Sequence, residues 1–143
     1  MSVADLRNLV RQYIQEVWNR AHTDVIDEVV AEGYEYHLGG QPPRDKEAMK
    51  QFVTAVHAAF PDWCVEIEDI VADEQLVAVR WQGEATHNGT FHGIPPTGKQ
   101  LSVCGINLYR VADGVIIQEW EQMDSLWMLQ QMGVLPPPRP ASD

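Results

Sequence analysis

The apolar residues of this chain change their spacing once, near Trp63, and this change most constrains the fold. Before Trp63, apart from the short stretch 34–38, they recur at three- and four-residue intervals, as on one buried helix face. After Trp63 they alternate with polar residues or run together in short blocks, as in β-strands. Helices followed by a run of strands are typical of the α+β class, so we predict an α+β domain with a mostly antiparallel sheet.

Three helices are predicted in the first half of the chain. The first covers 5–20, the second covers 25–31 and the third covers 46–59. Asp45 is placed to cap the third helix, because its side chain can accept a backbone N–H. Gly33 is expected to end the second helix in a left-handed conformation, which glycine adopts without strain.

A short strand, Tyr34–Leu38, precedes the third helix, and a long antiparallel meander follows it. The meander is predicted from strands at about 65–71, 76–87, 101–111 and 115–123. The turn Asp113-Gly114 joins the last two strands, with Gly114 at positive φ as twisted hairpins require. We expect one curved sheet wrapped around the three helices, a pocket between sheet and helices, and a short closing helix at 124–133.

Composition limits the function classes. The chain has 143 residues, a mass of 16.2 kDa and a formal net charge of −11, which argues against nucleic-acid or anionic-membrane partners. No apolar run is long enough to span a bilayer, and the first residues do not resemble a secretion signal. Cys64 and Cys104 fall in strand-like runs and are expected to be small buried residues of a reduced, cytoplasmic protein. Residues 1–135 should form one domain and 136–143 a proline-rich flexible tail.

Glu121 and Asp124 are the candidate acid/base residues. Glu121 lies between Trp120 and Met123 in the chain, and a carboxylate among such groups would have a raised pKa that suits a base near neutral pH. The alternative is a solvated glutamate on the outer sheet face, where Glu119 would share its strand parity. Asp124 either caps the C-terminal helix or reaches the pocket mouth and assists Glu121.

The histidines and Asn107 are candidates for binding. His37 follows an aromatic strand, and it either lines the pocket as a hydrogen-bond donor or is a half-buried strand residue. His87 is a further pocket candidate, whereas His92 is expected on the surface. The spacing of these histidines does not match a metal-binding motif, so no metal is expected. Asn107 is uncommon in a central strand, so its amide should have a polar partner or a ligand.

The chain has five tryptophans and four tyrosines, more than a core of this size requires. Four of these aromatic residues are predicted to bind substrate, namely Tyr36, Trp63, Trp81 and Trp120. They would suit a flat polyaromatic or terpenoid molecule. Ordinary packing in the core or in a dimer interface is the alternative for some of them.

Several short motifs are collinear with those of one protein family. They are Thr86-His87, Gly93-Ile94-Pro95-Pro96-Thr97-Gly98-Lys99, Tyr109-Arg110-Val111-Ala112-Asp113-Gly114, Trp120, Asp124 and 129–133, with Tyr34, His37 and Phe60-Pro61-Asp62 upstream. In these features the chain resembles the SnoaL-like polyketide cyclases of the nuclear-transport-factor-2-like superfamily over essentially its whole length. The resemblance implies a cone-shaped α+β barrel with a deep pocket, and a homodimer or higher oligomer.

The resemblance also implies ring closure by aldol chemistry on a polycyclic ketone ester, with an acidic side chain and without metal or cofactor. The family's usual aspartate corresponds to Glu121, and a pocket histidine corresponds to Asn107. We therefore expect a cofactor-independent cyclase or isomerase of a hydrophobic ketone or ester. In such an enzyme Glu121 would be the base, and Asn107 and His37 would hold the substrate oxygen on which negative charge develops. Epoxide opening by Glu121 paired with Asp124, or non-catalytic binding of a small molecule, are the alternatives.

Overall fold

The computed structural model describes residues 1–139, which form four α-helices and one five-stranded sheet. The helices are α1 (Val3–Tyr13), α2 (Asp24–Val29), α3 (Lys46–Ala59) and α4 (Ser125–Met132), and α1 continues as a π-helix over Ile14–Asn19. The strands are β1 (Val30–Leu38), β2 (Cys64–Ala72), β3 (Leu76–Thr86), β4 (Gln100–Ala112) and β5 (Val115–Met123). This architecture confirms the predicted α+β class.

The strands lie in the order β1-β5-β4-β3-β2, and β1 is the strand that runs parallel to its neighbour. β2 to β5 form the predicted antiparallel meander. In the turn between β4 and β5, Asp113 has a φ of 52° and Gly114 a φ of 77°, so the positive φ predicted for Gly114 is confirmed. Because β1 pairs with β5, it places Tyr34 and Tyr36 of the N-terminal half beside the last strand.

The core lies between the helices and one face of the sheet. α1 buries Leu6, Val10 and Tyr13, and α3 buries Met49, Val53, Val56 and Ala59. Alternate residues of β3 face them, and Val77, Val79 and Trp81 are buried. Each large apolar side chain buried in this way stabilises the fold by about 1.5–3 kcal/mol. The helices thus cover the inner face of the sheet, and the candidate site lies in the space between the two layers.

Two local predictions are wrong. Gly33 does not end a helix at positive φ, because it lies inside β1, which begins at Val30. A register shift between Val30 and Glu35 accommodates the extra residues, so pairing with β5 overrides the local glycine signal. Cys64 and Cys104 are exposed free thiols rather than buried residues, because their strands turn these positions toward the outer face of the sheet.

The predicted helix ends at Asp45 and Gly133 agree with the structure, and the predicted tail is described in part. Asp45 caps α3 as predicted, with its Oδ1 accepting the N–H of Ala48 at 2.8 Å, and α4 ends at Gly133, which has a φ of 81°. Residues 136–139 form neither helix nor strand, and 140–143 of the predicted tail lie outside the described residues. The division into a domain and a flexible tail therefore stays a prediction. No helix within residues 1–139 is long and apolar enough to cross a membrane.

Candidate active site

A cavity of about 320 Å³ lies between the helices and the inner face of the sheet. It is lined by Ile14, Trp18, Leu38, Gln41, Phe52, Val56, Phe60, Trp63, Val65, Trp81, Phe91, His92, Ile94, Asn107, Tyr109, Glu121, Met123, Ser125, Met128 and Leu129. The lining is mostly aromatic and aliphatic, it includes neither lysine nor arginine, and Glu121 is its single carboxylate. Such a cavity suits a neutral, largely apolar molecule.

Glu121 reaches the cavity because alternate residues of a strand face the same side. Glu119 and Glu121 both point toward the helices from β5; Glu119 is fully buried and Glu121 is 8% exposed. Asn107 of β4 lies directly opposite Glu121, and Leu38 of β1 flanks it on the other side. The alternative from the sequence, a solvated glutamate on the outer face of the sheet, is therefore wrong for Glu121.

Two hydrogen bonds hold one oxygen of the Glu121 carboxylate. Tyr36 Oη donates to Glu121 Oε1 at 2.8 Å, and Asn107 Nδ2 donates to the same oxygen at 3.1 Å. The other oxygen, Oε2, accepts no hydrogen bond from the described part of the chain. Because Glu121 lines the cavity, Oε2 is the carboxylate oxygen left for a bound molecule.

Burial raises the pKa of Glu121 above the ordinary value of 4.5. Hydrogen bonds from Asn107 and Tyr36 lower this pKa again, as does the positive charge of Arg44. Arg44 lies outside the cavity lining, with its guanidinium 4.2 Å from the ring centroid of Phe52. The raised pKa makes ionised Glu121 a stronger base than an exposed glutamate.

A second carboxylate, Glu119, lies beside Glu121 but does not line the cavity. Its Oε1 accepts from Tyr34 Oη at 2.6 Å, and its Oε2 accepts from Asn107 Nδ2 at 2.7 Å. Burial raises the pKa of Glu119 to about 7, and the charge of Glu121 adds to the increase. Sequence reasoning missed Glu119 as part of the site, although its shared parity with Glu121 was the signal that could have found it.

Asn107 joins the two carboxylates and is itself held by Trp81. Trp81 Nε1 donates to Asn107 Oδ1 at 2.7 Å, so the amide nitrogen must face Glu119 and Glu121. One N–H goes to each carboxylate, at 2.7 Å and 3.1 Å. An amide has only two N–H bonds, so Asn107 has none left for a substrate oxygen.

Two glycines make room for tryptophans in the cavity wall. Gly105 is the β4 partner of Trp81, and a Cβ added at Gly105 would lie 2.7 Å from Trp81 Cζ2. A Cβ at Gly83 would lie 3.1 Å from Trp63 Cη2. Trp63 and Trp81 then meet edge to face, with ring centroids 6.2 Å apart. The missing side chains at Gly83 and Gly105 therefore position the indole that holds Asn107.

A family model for SnoaL-like polyketide cyclases matches residues 8–132. The chain belongs to the SnoaL-like polyketide cyclase family. The match includes both buried glutamates, Asn107 and Trp81. No curated protein matches the sequence.

Solved structures of similar proteins agree with this membership. AclR of Streptomyces galilaeus, provisionally assigned as a hydroxylase, is 27% identical with a TM-score of 0.86, over 96% of this chain and 87% of AclR. IdmH of Streptomyces antibioticus, provisionally assigned as a polyketide cyclase, is 32% identical with a TM-score of 0.77, over 89% of this chain and 97% of IdmH. A SnoaL-like protein from Jannaschia has the same fold, at 23% identity and a TM-score of 0.86, over 94% of each chain.

In this SnoaL-like protein Asp124 caps α4. Asp124 Oδ1 accepts the N–H of Trp127 at 3.0 Å, as the capping alternative predicted. The side chain lines a surface groove with Leu126 and Pro136, and it is absent from the lining of the cavity. The structure therefore does not bring Asp124 together with Glu121.

His37 and Trp120 lie on the outer face of the sheet, not in the cavity. Their rings stack, with centroids 5.7 Å apart and 11° between the planes. The Arg110 Cζ lies 5.7 Å from the centroid of the Trp120 ring. His37 directly follows Tyr36, and Trp120 lies between Glu119 and Glu121, so both must point to the side opposite these inward residues. Their predicted place among the substrate-binding residues of the SnoaL-like site is therefore corrected.

His87 is fully buried but is also absent from the cavity lining. Its ring packs on Phe60, with centroids 5.3 Å apart, and its Nδ1 accepts the N–H of Thr97 at 3.2 Å. His87 thus fixes the loop that carries the Gly93–Lys99 motif and does not line the cavity. His92, on the same loop, is exposed as predicted, and it borders the cavity.

Gln41 and Ser125 line the cavity and were not singled out from the sequence. Gln41 Oε1 accepts from Arg44 Nη2 at 3.3 Å, which leaves the N–H groups of Gln41 Nε2 free to donate. Ser125 is the first residue of α4. Among residues 1–139, no three histidine, cysteine, aspartate or glutamate side chains are grouped as metal ligands.

Proposed function

We propose that this SnoaL-like protein is an acid/base cyclase or isomerase of a neutral, hydrophobic ketone or ester, acting without metal or cofactor. The observation that carries the proposal is the Glu121 carboxylate, which presents one unpaired oxygen to an otherwise mostly apolar cavity. Family membership supports a cyclase or isomerase role. The lack of lysine and arginine in the lining favours a neutral substrate over an anionic one.

The proposed reaction begins when Glu121 Oε2 removes a proton from the carbon next to a carbonyl group. The electrons of that C–H bond form an enolate, and the enolate carbon then attacks a second carbonyl of the same molecule. The new carbon–carbon bond closes the ring and leaves an alkoxide. Protonated Glu121 returns its proton to the alkoxide, so the carboxylate is regenerated and no redox change occurs.

The oxygen of the enolate requires hydrogen-bond donors, and Asn107 cannot supply one because both its N–H bonds are used within the protein. His37 is excluded by its position on the outer face. We assign this role to the amide of Gln41 and the hydroxyl of Ser125, which line the cavity. Gln41 follows Leu38, the β1 partner of Glu121, so the chain brings its amide to the same end of the sheet.

The two alternatives from the sequence are weaker. Epoxide opening was expected to use Asp124 and Glu121 as a pair, but Asp124 caps α4 outside the cavity. A non-catalytic binding module would explain the apolar cavity but gives no reason for a carboxylate with a raised pKa in its wall. A binding test must still separate this module from an enzyme.

The test is incubation with a panel of neutral polycyclic ketones and ketone esters, followed by chromatography and mass spectrometry for an isomeric product of unchanged mass. Wild type should give product, and Glu121→Gln should lower turnover by ~10²–10⁴-fold because the side chain can no longer exchange a proton. Glu66→Gln, on the exposed face of β2, is the matched control and should retain the wild-type rate. Saturable quenching of tryptophan fluorescence without product would support the binding module instead.

A further inference from the structure

The reaction proposed above uses Glu121 and leaves Glu119 without a role. Glu119 is fully buried, does not touch the cavity and forms no salt bridge with lysine or arginine in the described part of the chain. An isolated buried carboxylate is much less favourable than a neutral carboxyl group. The groups that surround Glu119 must therefore account for a glutamate at this buried position.

Apart from Glu121, the polar groups that surround Glu119 are neutral. The polar residues that face it are Tyr13 of α1, Tyr34 and Tyr36 of β1, Asn107 and Tyr109 of β4, and Glu121 of β5. Burial raises the pKa of all four tyrosines well above the ordinary value of 10.0, so their hydroxyl groups keep their protons. Arg44 is the cation that acts on the pair, and it acts on Glu121.

The hydroxyl groups around Glu119 can form hydrogen bonds with both its ionised and its protonated state. When Glu119 is ionised, Tyr34 Oη donates to it at 2.6 Å. When Glu119 is protonated, its O–H can donate to Tyr34 Oη, because a hydroxyl both donates and accepts. The Tyr34 hydroxyl can then turn toward Tyr13 Oη, which is buried and has no hydrogen-bond partner among residues 1–139. A proton on Glu119 therefore requires no rearrangement of the backbone.

The amide of Asn107 connects Glu119 to Glu121 in both states. It donates one N–H to Glu119 Oε2 at 2.7 Å and the other to Glu121 Oε1 at 3.1 Å. Trp81 prevents the amide from turning over, since a flip would bring two N–H donors face to face. The position of each carboxyl group thus depends on the position of the other.

We propose that Glu119 is a positioning residue that keeps a proton while Glu121 is ionised, so that the two carboxyl groups hold a single negative charge and place it at the cavity. Glu121 then starts each cycle as the base. Removal of a substrate proton brings the pair from one proton to two, and return of that proton to the product restores one. The pair never needs to carry two buried negative charges. This proposal rests on Glu121 as the base of the proposed function, but the shared charge exists without substrate.

The experiment is a carbon-13 NMR titration of the glutamate side-chain carboxyl groups in the free, full-length protein. Glu119→Gln and Glu121→Gln assign the two buried resonances, and Glu66→Gln is the exposed control. We expect Glu121 to ionise at lower pH than Glu119. In Glu121→Gln the midpoint of Glu119 should fall by about one pH unit, because the neighbouring charge is gone. Glu66→Gln should leave both midpoints unchanged.

Two results would overturn the proposal: ionisation of Glu119 before Glu121, or a Glu119 midpoint that is the same in wild type and in Glu121→Gln. Should Glu119→Gln fail to fold, the comparison of wild type with Glu121→Gln still decides, because Glu119 is observed in both. Failure of the proposed function is separate. A protein that turns over no ketone but shows the coupled titration would refute the cyclase reaction and leave the shared charge standing.

Discussion

The indole N–H of Trp81 donates to the side-chain oxygen of Asn107 at 2.7 Å, and this contact decides which way the Asn107 amide points. Because the oxygen is committed to the indole, the nitrogen faces the buried carboxylates. Removal of the indole N–H is therefore expected to change the orientation of the Asn107 amide and, through it, the position of the Glu121 carboxylate.

Trp81→Phe tests this contact. The substitution keeps an aromatic ring in the wall but leaves Asn107 Oδ1 buried without its donor, so we expect a loss of roughly 1–3 kcal/mol in the free energy of unfolding. Urea denaturation measures it. Trp127→Phe is the matched control, because Trp127 is 42% exposed on α4, and it should change stability by less than ~0.5 kcal/mol. Equal stabilities for the two variants would show that the indole N–H does not hold the amide.

Gly105→Ala should displace the Trp81 ring. The added Cβ would lie 2.7 Å from Trp81 Cζ2 and 2.7 Å from the carbonyl oxygen of Gln122, and neither contact can be tolerated without a shift. We expect a loss of about 1–3 kcal/mol by overpacking, measured as a lower melting temperature. Gly40→Ala is the control, because nothing lies within 4 Å of a Cβ at that position and its φ is not positive. A melting temperature for Gly105→Ala equal to that of Gly40→Ala would contradict the packing described.

The stability of the protein should fall as the pH rises from about 4.5 to about 7. The pKa of Glu119 is 4.5 when the chain is unfolded and about 7 in the fold, so within this window the folded state binds the proton more tightly. Below pH 4.5 Glu119 is protonated in both states, and its contribution to the free energy of unfolding is fully present. Between pH 4.5 and about pH 7 this contribution, roughly 3 kcal/mol, is lost. Denaturation at several pH values measures the slope.

Glu119→Gln should reduce this slope, because glutamine does not titrate. Burial also raises the pKa of Glu121, so Glu121 accounts for the slope that is left. The aspartates with lowered pKa, such as Asp62, act in the opposite sense but below their ordinary value of 3.8, so they do not mask the effect. A wild-type slope that persists in Glu119→Gln would assign the pH dependence to another group.

Turnover should rise with pH as Glu121 ionises, with a midpoint above the ordinary glutamate value of 4.5, because burial raises the pKa of Glu121. Glu121→Asp should retain part of the activity, since it keeps a carboxylate on a shorter arm. The pH profile of kcat for wild type and Glu121→Asp measures both effects. A flat profile, or full activity in Glu121→Gln, would mean that Glu121 is not the base.

We expect a homodimer that covers the outer face of the sheet. Ile106 on this face is 54% exposed and Trp120 is half-buried, so the outer face exposes apolar surface that a second copy of the chain could cover. Ile106→Glu should weaken the dimer, measured by sedimentation at micromolar concentration. Leu126→Glu, at a residue 58% exposed on α4, is the control and should leave the dimer intact. A wild-type species of 16.2 kDa would refute the dimer.

Features that depend on neighbours in the chain could be predicted from the sequence. The helix caps at Asp45 and Asp124 are made within three residues, and the turn at Gly114 is made within the hairpin itself. Periodicity separated helices from strands, so the α+β class followed. Glu121 was found because its position corresponds to the acid of a family.

The tertiary structure alone decided which face of each strand is covered. Alternation along β5 shows that Glu119 and Glu121 share a side, but it cannot show which side the helices pack on. The partners that settle the matter are Tyr34 and Tyr36, each 85 residues away from the glutamate that it contacts. The same long-range pairing placed Gly33 inside β1 and left His37 outside the cavity. Local spacing determines which residues act together, and only the packing of distant elements determines whether they face water or the site.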